Sequence, residues 1–317
     1  MKNKIKNSII LTTLAILLMY IINKIIFAVS ILKNLLTTDE GYYFDWRFGK
    51  VYYTKQGTGS PLLLIHELSP YSSEVEWCEL IHSLSKNHTV YTLDLLGCGR
   101  SDKPNITYTN YLFVQLITDF IKNIIHKKTD VVCTGSSSSI ILMACYNNDT
   151  LFNKIMLINP EDISLINKIP NKRTKMLKLL IELPIIGTLV YNITTTRKNV
   201  EDLFVEQYLF NPFRIQSKYI NTYYESSHLG GPNARYLLSS LKGRYMNVNI
   251  GRALEEINNS IFIIGGEEEL HIQEIIKNYV NLNHSIEYNY LSRAKHLPQI
   301  ETPHSLLEQM KIFFSQA

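Results

Sequence analysis

A serine hydroxyl, an imidazole and a carboxylate that meet in space can run covalent acyl transfer. The histidine removes the serine proton, and the carboxylate orients the ring and balances its charge. Residues 130–143 offer the serine. Residues 131–133 form a short apolar run of strand character, Gly135 breaks it, and an apolar helical run starts at Ile140. A serine two residues after a glycine on a strand-to-helix turn is a nucleophile elbow, and by that count the nucleophile is Ser137. Such a turn also aims backbone N–H groups and a helix N-terminus at the reacting carbonyl. The last glycine of G-x-S-x-G is Ser139 here, and four serines after a glycine equally suit a polar loop that caps a helix.

The elements around this stretch alternate. Residues 42–46 and 50–55 read as a hairpin, and 62–65 (Leu-Leu-Leu-Ile) as a central strand buried on both faces. A helix over 74–84, a strand over 89–93, an amphipathic helix over 111–125 and a strand over 154–158 follow. This order implies an α/β domain with a mostly parallel sheet and helices on both faces.

Three segments then resemble the α/β-hydrolase superfamily. Leu62-Leu63-Leu64-Ile65-His66-Glu67 is similar to its strand and His-Gly loop. Asp94-Leu95-Leu96-Gly97-Cys98-Gly99-Arg100-Ser101-Asp102 is similar to its D-x-x-G-x-G-x-S-D loop, and Gly135 to Ser139 stand where its elbow belongs. The resemblance covers residues 43–160 and 258–316 well and the middle loosely. It implies that Leu68 and Ser138 supply the oxyanion N–H groups, and that His66, Asp94, Arg100 and Asp102 brace loops. Glu67 departs from the pattern by replacing a glycine, which places a negative charge near the oxyanion position unless it points away or joins unusual chemistry.

Residues 161–259 break the alternation with helical segments, similar to the helical cap that many of these hydrolases insert after the sixth strand. Its inner face would shape an apolar acyl pocket. Lys168, Lys172, Arg173, Lys175 and Lys178 suit either anionic lipid headgroups or an ordinary solvated helix face. In residues 260–317 a buried strand ends at Gly265-Gly266. The resemblance puts the triad acid three residues on, at Glu269, with Glu267, Glu268, Glu161 or Asp162 as alternatives. His296, on the loop before a terminal helix over 303–314, is then the base. The order Ser137, Glu269, His296 is that of the superfamily.

The N-terminus reads differently. Lys2, Lys4 and Lys6 precede an uncharged run over 8–22, and apolar character resumes over 25–32 after Asn23 and Lys24. Residues 1–38 are expected to be an uncleaved membrane anchor, with a cleaved signal peptide ending near Ala28-Val29-Ser30 as the competitor. Basic residues flank both ends, so the side is open, with the extracytoplasmic side slightly favoured. The expected division is 1–38 anchor, 39–160 first half of the core, 161–259 cap and 260–317 second half. A net charge of +4 without a basic, aromatic-interleaved stripe argues against nucleic acid. Cys78, Cys98, Cys133 and Cys145 lack metal-site or disulfide spacing, and no cofactor is expected. The expectation is a membrane-anchored serine hydrolase of apolar or lipid-like carboxylic esters. The alternatives are a catalytically inactive binding protein of the same fold, or a haloperoxidase, C–C hydrolase or acyltransferase on the same triad.

Overall fold

The computed structural model describes residues 2–37 and 41–315, so the expected boundary between residues 38 and 39 lies outside the described residues. The strands are β1 (Tyr42–Trp46), β2 (Gly49–Gln56), β3 (Ser60–Ile65), β4 (His88–Leu93), β5 (Thr129–Thr134), β6 (Phe152–Ile158), β7 (Ile261–Gly266) and β8 (Glu287–Leu291). They form one sheet in the order β1-β2-β4-β3-β5-β6-β7-β8. The hairpin β1-β2 joins β4 antiparallel, and every pairing from β4 to β8 is parallel.

Period-two geometry explains why the central strands are apolar throughout. Leu63, Ile65, Val131 and Cys133 pack into the core on one face of the sheet. Leu62, Leu64 and Val132 pack into the core on the other. Each fully buried leucine or isoleucine contributes about 1.5–3 kcal/mol relative to exposure, so a polar residue anywhere in β3 or β5 is costly.

Helices α2 (Cys78–Leu84), α3 (Asn110–Phe120) and α4 (Ser137–Asn147) pack over the sheet, and α1 (Lys2–Ser30) precedes it in the chain. Between β6 and β7 run α5 (Ile163–Ile166), α6 (Lys172–Glu182), α7 (Ile186–Thr194), α8 (Arg197–Leu203), α9 (Ser217–His228), α10 (Arg235–Lys242) and α11 (Gly251–Glu256). The chain ends with α12 (Ile272–Leu282), α13 (Pro298–Glu301) and α14 (Pro303–Ser315). Several expected helices are broken. Residues 74–77 are a 3-10 turn before α2, and the segment after α3 is a π turn closed by left-handed His126. Ahead of α9, Asn211 caps a short 3-10 turn at Pro212, and extended Ile215 and Gln216 separate that turn from the helix.

Helix α1 has two environments. Its apolar residues from Ile5 to Ile22 are exposed, whereas Asn23, Phe27 and Ser30 are buried against the helices inserted between β6 and β7. Asn23 Nδ2 donates to the Ile185 carbonyl at 3.0 Å and Asn23 Oδ1 accepts from Asn192 at 2.9 Å. Ser30 Oγ and the Tyr224 hydroxyl are 2.6 Å apart, and Phe27 stacks on Tyr191. Ala28-Val29-Ser30 therefore lies within a continuous helix, and Ser30 is one of its packed residues.

Candidate functional site

The histidine loop is assembled from the ends of β6, β7 and the insertion. Asn159 directly follows β6. Its Oδ1 accepts the Gly266 N–H at 2.8 Å, and its Nδ2 donates to the carbonyls of Lys295 and His296 at 2.7 and 2.9 Å. Gly266 permits this because a Cβ there would lie 2.1 Å from the Lys295 carbonyl oxygen. The His296 N–H donates to the Tyr208 carbonyl at 3.1 Å, and the Tyr208 ring stacks on the imidazole at 5.2 Å between centroids. Glu301 Oε2 accepts the Lys295 N–H at 3.1 Å. The ring is thus fixed from behind before any acid is considered. Of the candidate acids, Glu269 reaches it, with Oε1 3.3 Å from Nδ1. Asp162 instead caps α5, accepting the Ser164 N–H at 2.8 Å.

The strand-to-helix turn is built otherwise than the motif count implies. β5 ends at Thr134, and the residue in the left-handed conformation at the turn is Gly135, with φ +53. Ser136 and Ser137 have already entered the helix. Ser137 is fully buried, and its hydroxyl donates to the His66 carbonyl at 2.7 Å. The Ser138 N–H is consumed within the first turn, donating to the Gly135 carbonyl at 3.1 Å. Two expectations are therefore corrected. Ser137 is a packing residue under the turn rather than the side chain presented at its apex, and Ser138 does not face an oxyanion position. Leu68 keeps its place on the loop after β3, but its N–H meets the Ser136 hydroxyl at 3.2 Å.

Glu67 fills the space that a side chain on the turn would occupy. A Cβ built on Gly135 would lie 2.9 Å from Glu67 Oε1. Glu67 Oε2 is 3.0 Å from His296 Nε2. Both ring nitrogens are thus engaged by carboxylates, Nδ1 by Glu269 and Nε2 by Glu67. Burial alone would lower the His296 pKa, but the Glu67 charge and the hydrogen bonds to Glu269 and Glu67 hold it well above the ordinary value of 6.5. Burial pushes Glu67 upward, and the His296 charge with hydrogen bonds from His296 and Tyr208 outweighs it, leaving Glu67 below the ordinary carboxylate value. The His296 ring thus lies between two glutamate side chains, with Glu67 favouring its protonated form. Two further acids sense it. Glu76, whose Oε2 accepts the Glu67 N–H, is pushed up to about 7 by burial and the Glu67 charge. Glu161 is also raised to about 7, by the same two causes.

Bracing residues surround this array. His66 Nε2 accepts the Leu95 N–H at 2.9 Å, Arg100 Nε pairs with Asp94 at 2.8 Å, and Asp102 accepts the Lys50 N–H at 2.7 Å. Two cavities flank the site. One of about 500 Å³ is lined by Glu67, Tyr208, Glu269, Lys295 and His296. The other, of about 520 Å³, lies between Leu68, Ser136 and Glu161 on the core and Leu177, Ile181 and Leu238 on the insertion.

Asn159, Tyr208 and Gly135 were missed from sequence. Gly135 was findable, because the buried run of β5 extends through Thr134 and makes the next residue the turn. Asn159 and Tyr208 act through backbone carbonyls or ring faces, which leave no spacing signature.

No family model matches the chain. Among curated proteins, a 2-hydroxy-6-oxo-6-(2'-aminophenyl)hexa-2,4-dienoic acid hydrolase of Metapseudomonas resinovorans is 37% identical over 71 residues, 22% of this chain and 24% of that protein. The chain thus matches about a quarter of that relative's length. Among solved structures, a serine hydrolase of carbazole degradation superposes with a TM-score of 0.73 at 17% identity, covering 87% of this chain and 99% of that one. A membrane phospholipase A superposes with a TM-score of 0.69 at 15% identity, covering 99% of this chain and 98% of that one. Sheet order, parallel register, the histidine loop after the last strand and these superpositions agree that the chain has the α/β-hydrolase fold.

Proposed function

We propose that this protein hydrolyses a small electrophile through the Glu67 carboxylate rather than an ester through a serine hydroxyl, and that α1 tethers it to a membrane. The observation that carries the first part is the position of Glu67. Its carboxylate fills the space beyond Gly135 and takes His296 Nε2, so the atom facing the histidine is an ionised oxygen. A carboxylate held below its ordinary pKa is a nucleophile at neutral pH without needing a base. The substrate class that suits it has a saturated carbon bound to an activated oxygen, such as a three-membered cyclic ether.

The steps balance on these residues alone. A Glu67 oxygen bonds to the ring carbon, the carbon–oxygen bond of the ring breaks, and the released alkoxide takes the Nε2 proton of His296. Esterified Glu67 no longer carries charge, and that charge is the largest influence holding the His296 pKa up, so the neutral imidazole becomes a competent base. It takes a proton from water, the hydroxide adds to Glu67 Cδ, and collapse expels the second alkoxide. That oxygen ends with the carboxyl proton, Glu67 is again ionised, and His296 is again protonated. Glu269 holds Nδ1 throughout.

A single turnover in ¹⁸O-water, with protein in excess over an aryl epoxide, tests this by mass spectrometry of the peptide containing Glu67. The reading expects ¹⁸O in Glu67. Turnover that leaves Glu67 unlabelled, or labelling of Ser136 or Ser137 by a fluorophosphonate, would overturn it. A second reading, a binding protein that turns nothing over, is favoured by one contact: the Leu68 N–H is occupied by the Ser136 hydroxyl rather than left free for an oxyanion. Saturable binding without turnover of epoxides or esters would select that reading.

The tether rests on α1. Its Asn3–Ser30 portion is long and apolar enough to cross a bilayer, with a mean hydropathy of 2.2 in its most apolar window and little of it buried. Its packed end, Asn23 to Ser30, argues for retention rather than removal as a leader. Alkaline carbonate extraction of cell membranes should leave the full chain in the pellet, and release to the supernatant would contradict the anchor.

A further inference from the structure

The helices inserted between β6 and β7 leave a second apolar surface unexplained by the site. On and around α6 and the start of α7, Ile169, Met176, Leu179, Leu180, Leu183 and Ile186 are exposed by 78, 68, 64, 41, 44 and 48%. Met176, Leu179, Leu180 and Leu183 fall at i, i+3, i+4 and i+7 and so share one helix face, and exposed side chains of this size are costly in water and mark a contact surface. Lys168, Lys172, Arg173 and Lys175 are exposed among them. The α6–α7 corner turns by 101° rather than continuing as one helix.

The geometry points to a lipid bilayer as the occupant: the α6–α7 corner rests in the interface of the same membrane that α1 enters. This rests on the tether reading, not on the chemistry assigned to Glu67. What commits it to lipid is the fixed height of the corner along α1. Asn23 Nδ2 holds the Ile185 carbonyl, and a cleft of about 320 Å³ between Tyr20, Asn23, Lys24 and Phe27 of α1 and Pro184, Ile185 and Thr188 of the corner is almost wholly apolar. The uncharged run of α1, from Ser8 to Ile22, rises about 22 Å at 1.5 Å per residue, and Lys6 and Lys24 at its two ends reach the surfaces of a roughly 30 Å hydrocarbon core by extending along the helix. Asn23 therefore stands where the hydrocarbon ends, and Leu183 and Ile186, adjoining the carbonyl it holds, stand at the same depth. Lys24 lies over the Tyr20 ring at 5.2 Å, an aromatic–cation pair suited to that boundary. The nearby lysines and Arg173 complement anionic headgroups. Ile185 itself has φ +64 at a tight turn, a conformation rare for a β-branched residue, and Asn23 of α1 grips its carbonyl.

The test uses the full chain in vesicles of phosphatidylcholine and phosphatidylglycerol. Nitroxides are placed singly at Leu179→Cys, Ile186→Cys and, as the aqueous control, Tyr288→Cys on β8, in a Cys78→Ser background because the other cysteines are buried. Collision with oxygen should exceed collision with a water-soluble nickel chelate several-fold at 179 and 186, and the preference should reverse at 288. Equal nickel access at all three sites would overturn the proposal. So would labels at 179 and 186 shielded from both reagents and broadened by spin–spin coupling, which would mean that a second copy of the chain covers the face. Comparing 179 and 186 with 288 across three single-cysteine variants of one background removes dependence on any one of them, and retained vesicle binding through α1 shows that failure of the face is not failure of the tether.

Discussion

On the histidine side of the site, Asn159, Tyr208 and Glu301 hold a loop whose imidazole faces Glu269, an arrangement ready to assist a nucleophile. On the strand-to-helix side, a glycine stands at the turn and a carboxylate from a different loop fills the space above it. The two sides meet at one ring, and the difference between them decides the chemistry. A hydroxyl on Gly135 would need His296 neutral, to take its proton. Glu67 instead favours the protonated ring, and in the proposed mechanism it is itself the attacking group.

The largest expected effect comes from breaking the contact between the two sides. Glu67→Ala takes one of the two carboxyl partners from the part-buried His296 ring and should cost on the order of 3 kcal/mol in urea unfolding. Glu269→Gln, which removes the charge but keeps an oxygen acceptor for Nδ1, should cost about 1–3 kcal/mol. Equal losses would mean that the two carboxylates are interchangeable. Glu76, behind the Glu67 N–H, gives the pH test. Its pKa of about 7 in the folded protein lies above its unfolded value, so its contribution is most favourable at low pH and is lost as pH rises to about 7. Glu76→Gln should therefore flatten the fall in stability between pH 5 and 8, by on the order of 3 kcal/mol at the upper end. An unchanged profile would place the buried proton elsewhere.

A third experiment rebuilds the missing side. Gly135→Ser should destabilise by about 1–3 kcal/mol, because a side chain at φ +53 is strained and its Cβ meets Glu67. Adding Glu67→Gly should recover part of that loss, with a coupling of about 0.5–3 kcal/mol, and should create fluorophosphonate labelling absent from the parent. Additive losses without labelling would show that the two positions do not share a space. The smallest effect is expected at Ser137→Ala, which removes one buried hydrogen bond to the His66 carbonyl and should cost about 1 kcal/mol. Labelling of the parent that disappears in this variant would restore Ser137 as the nucleophile.

The sheet was legible because the apolar runs of β3, β5, β6 and β7 are too short for helices and several are bounded by glycines. The family resemblance put Glu269 and His296 on the loops after β7 and β8, and the two side chains do meet there at 3.3 Å. Ser137 was misplaced because the count began from Gly135 as the first residue of the elbow, when the end of β5 makes that glycine the apex. Glu67 was visible as an anomaly, but its direction depends on the empty space above Gly135, about seventy residues away in sequence, which no local pattern reports. The π turn over residues 121–125 escaped because it continues α3 with a wider hydrogen-bonded turn that leaves the apolar pattern unchanged.

The protonation of His296 tests the central claim most directly, by ¹⁵N NMR of imidazole-labelled protein across the pH range in the parent and in Glu67→Gln. With Glu67 on Nε2, both ring nitrogens of the parent should stay protonated through neutral pH, and the titration should move to lower pH in the variant. A His296 that titrates near 6.5 in both proteins would show that the carboxylate does not face the ring.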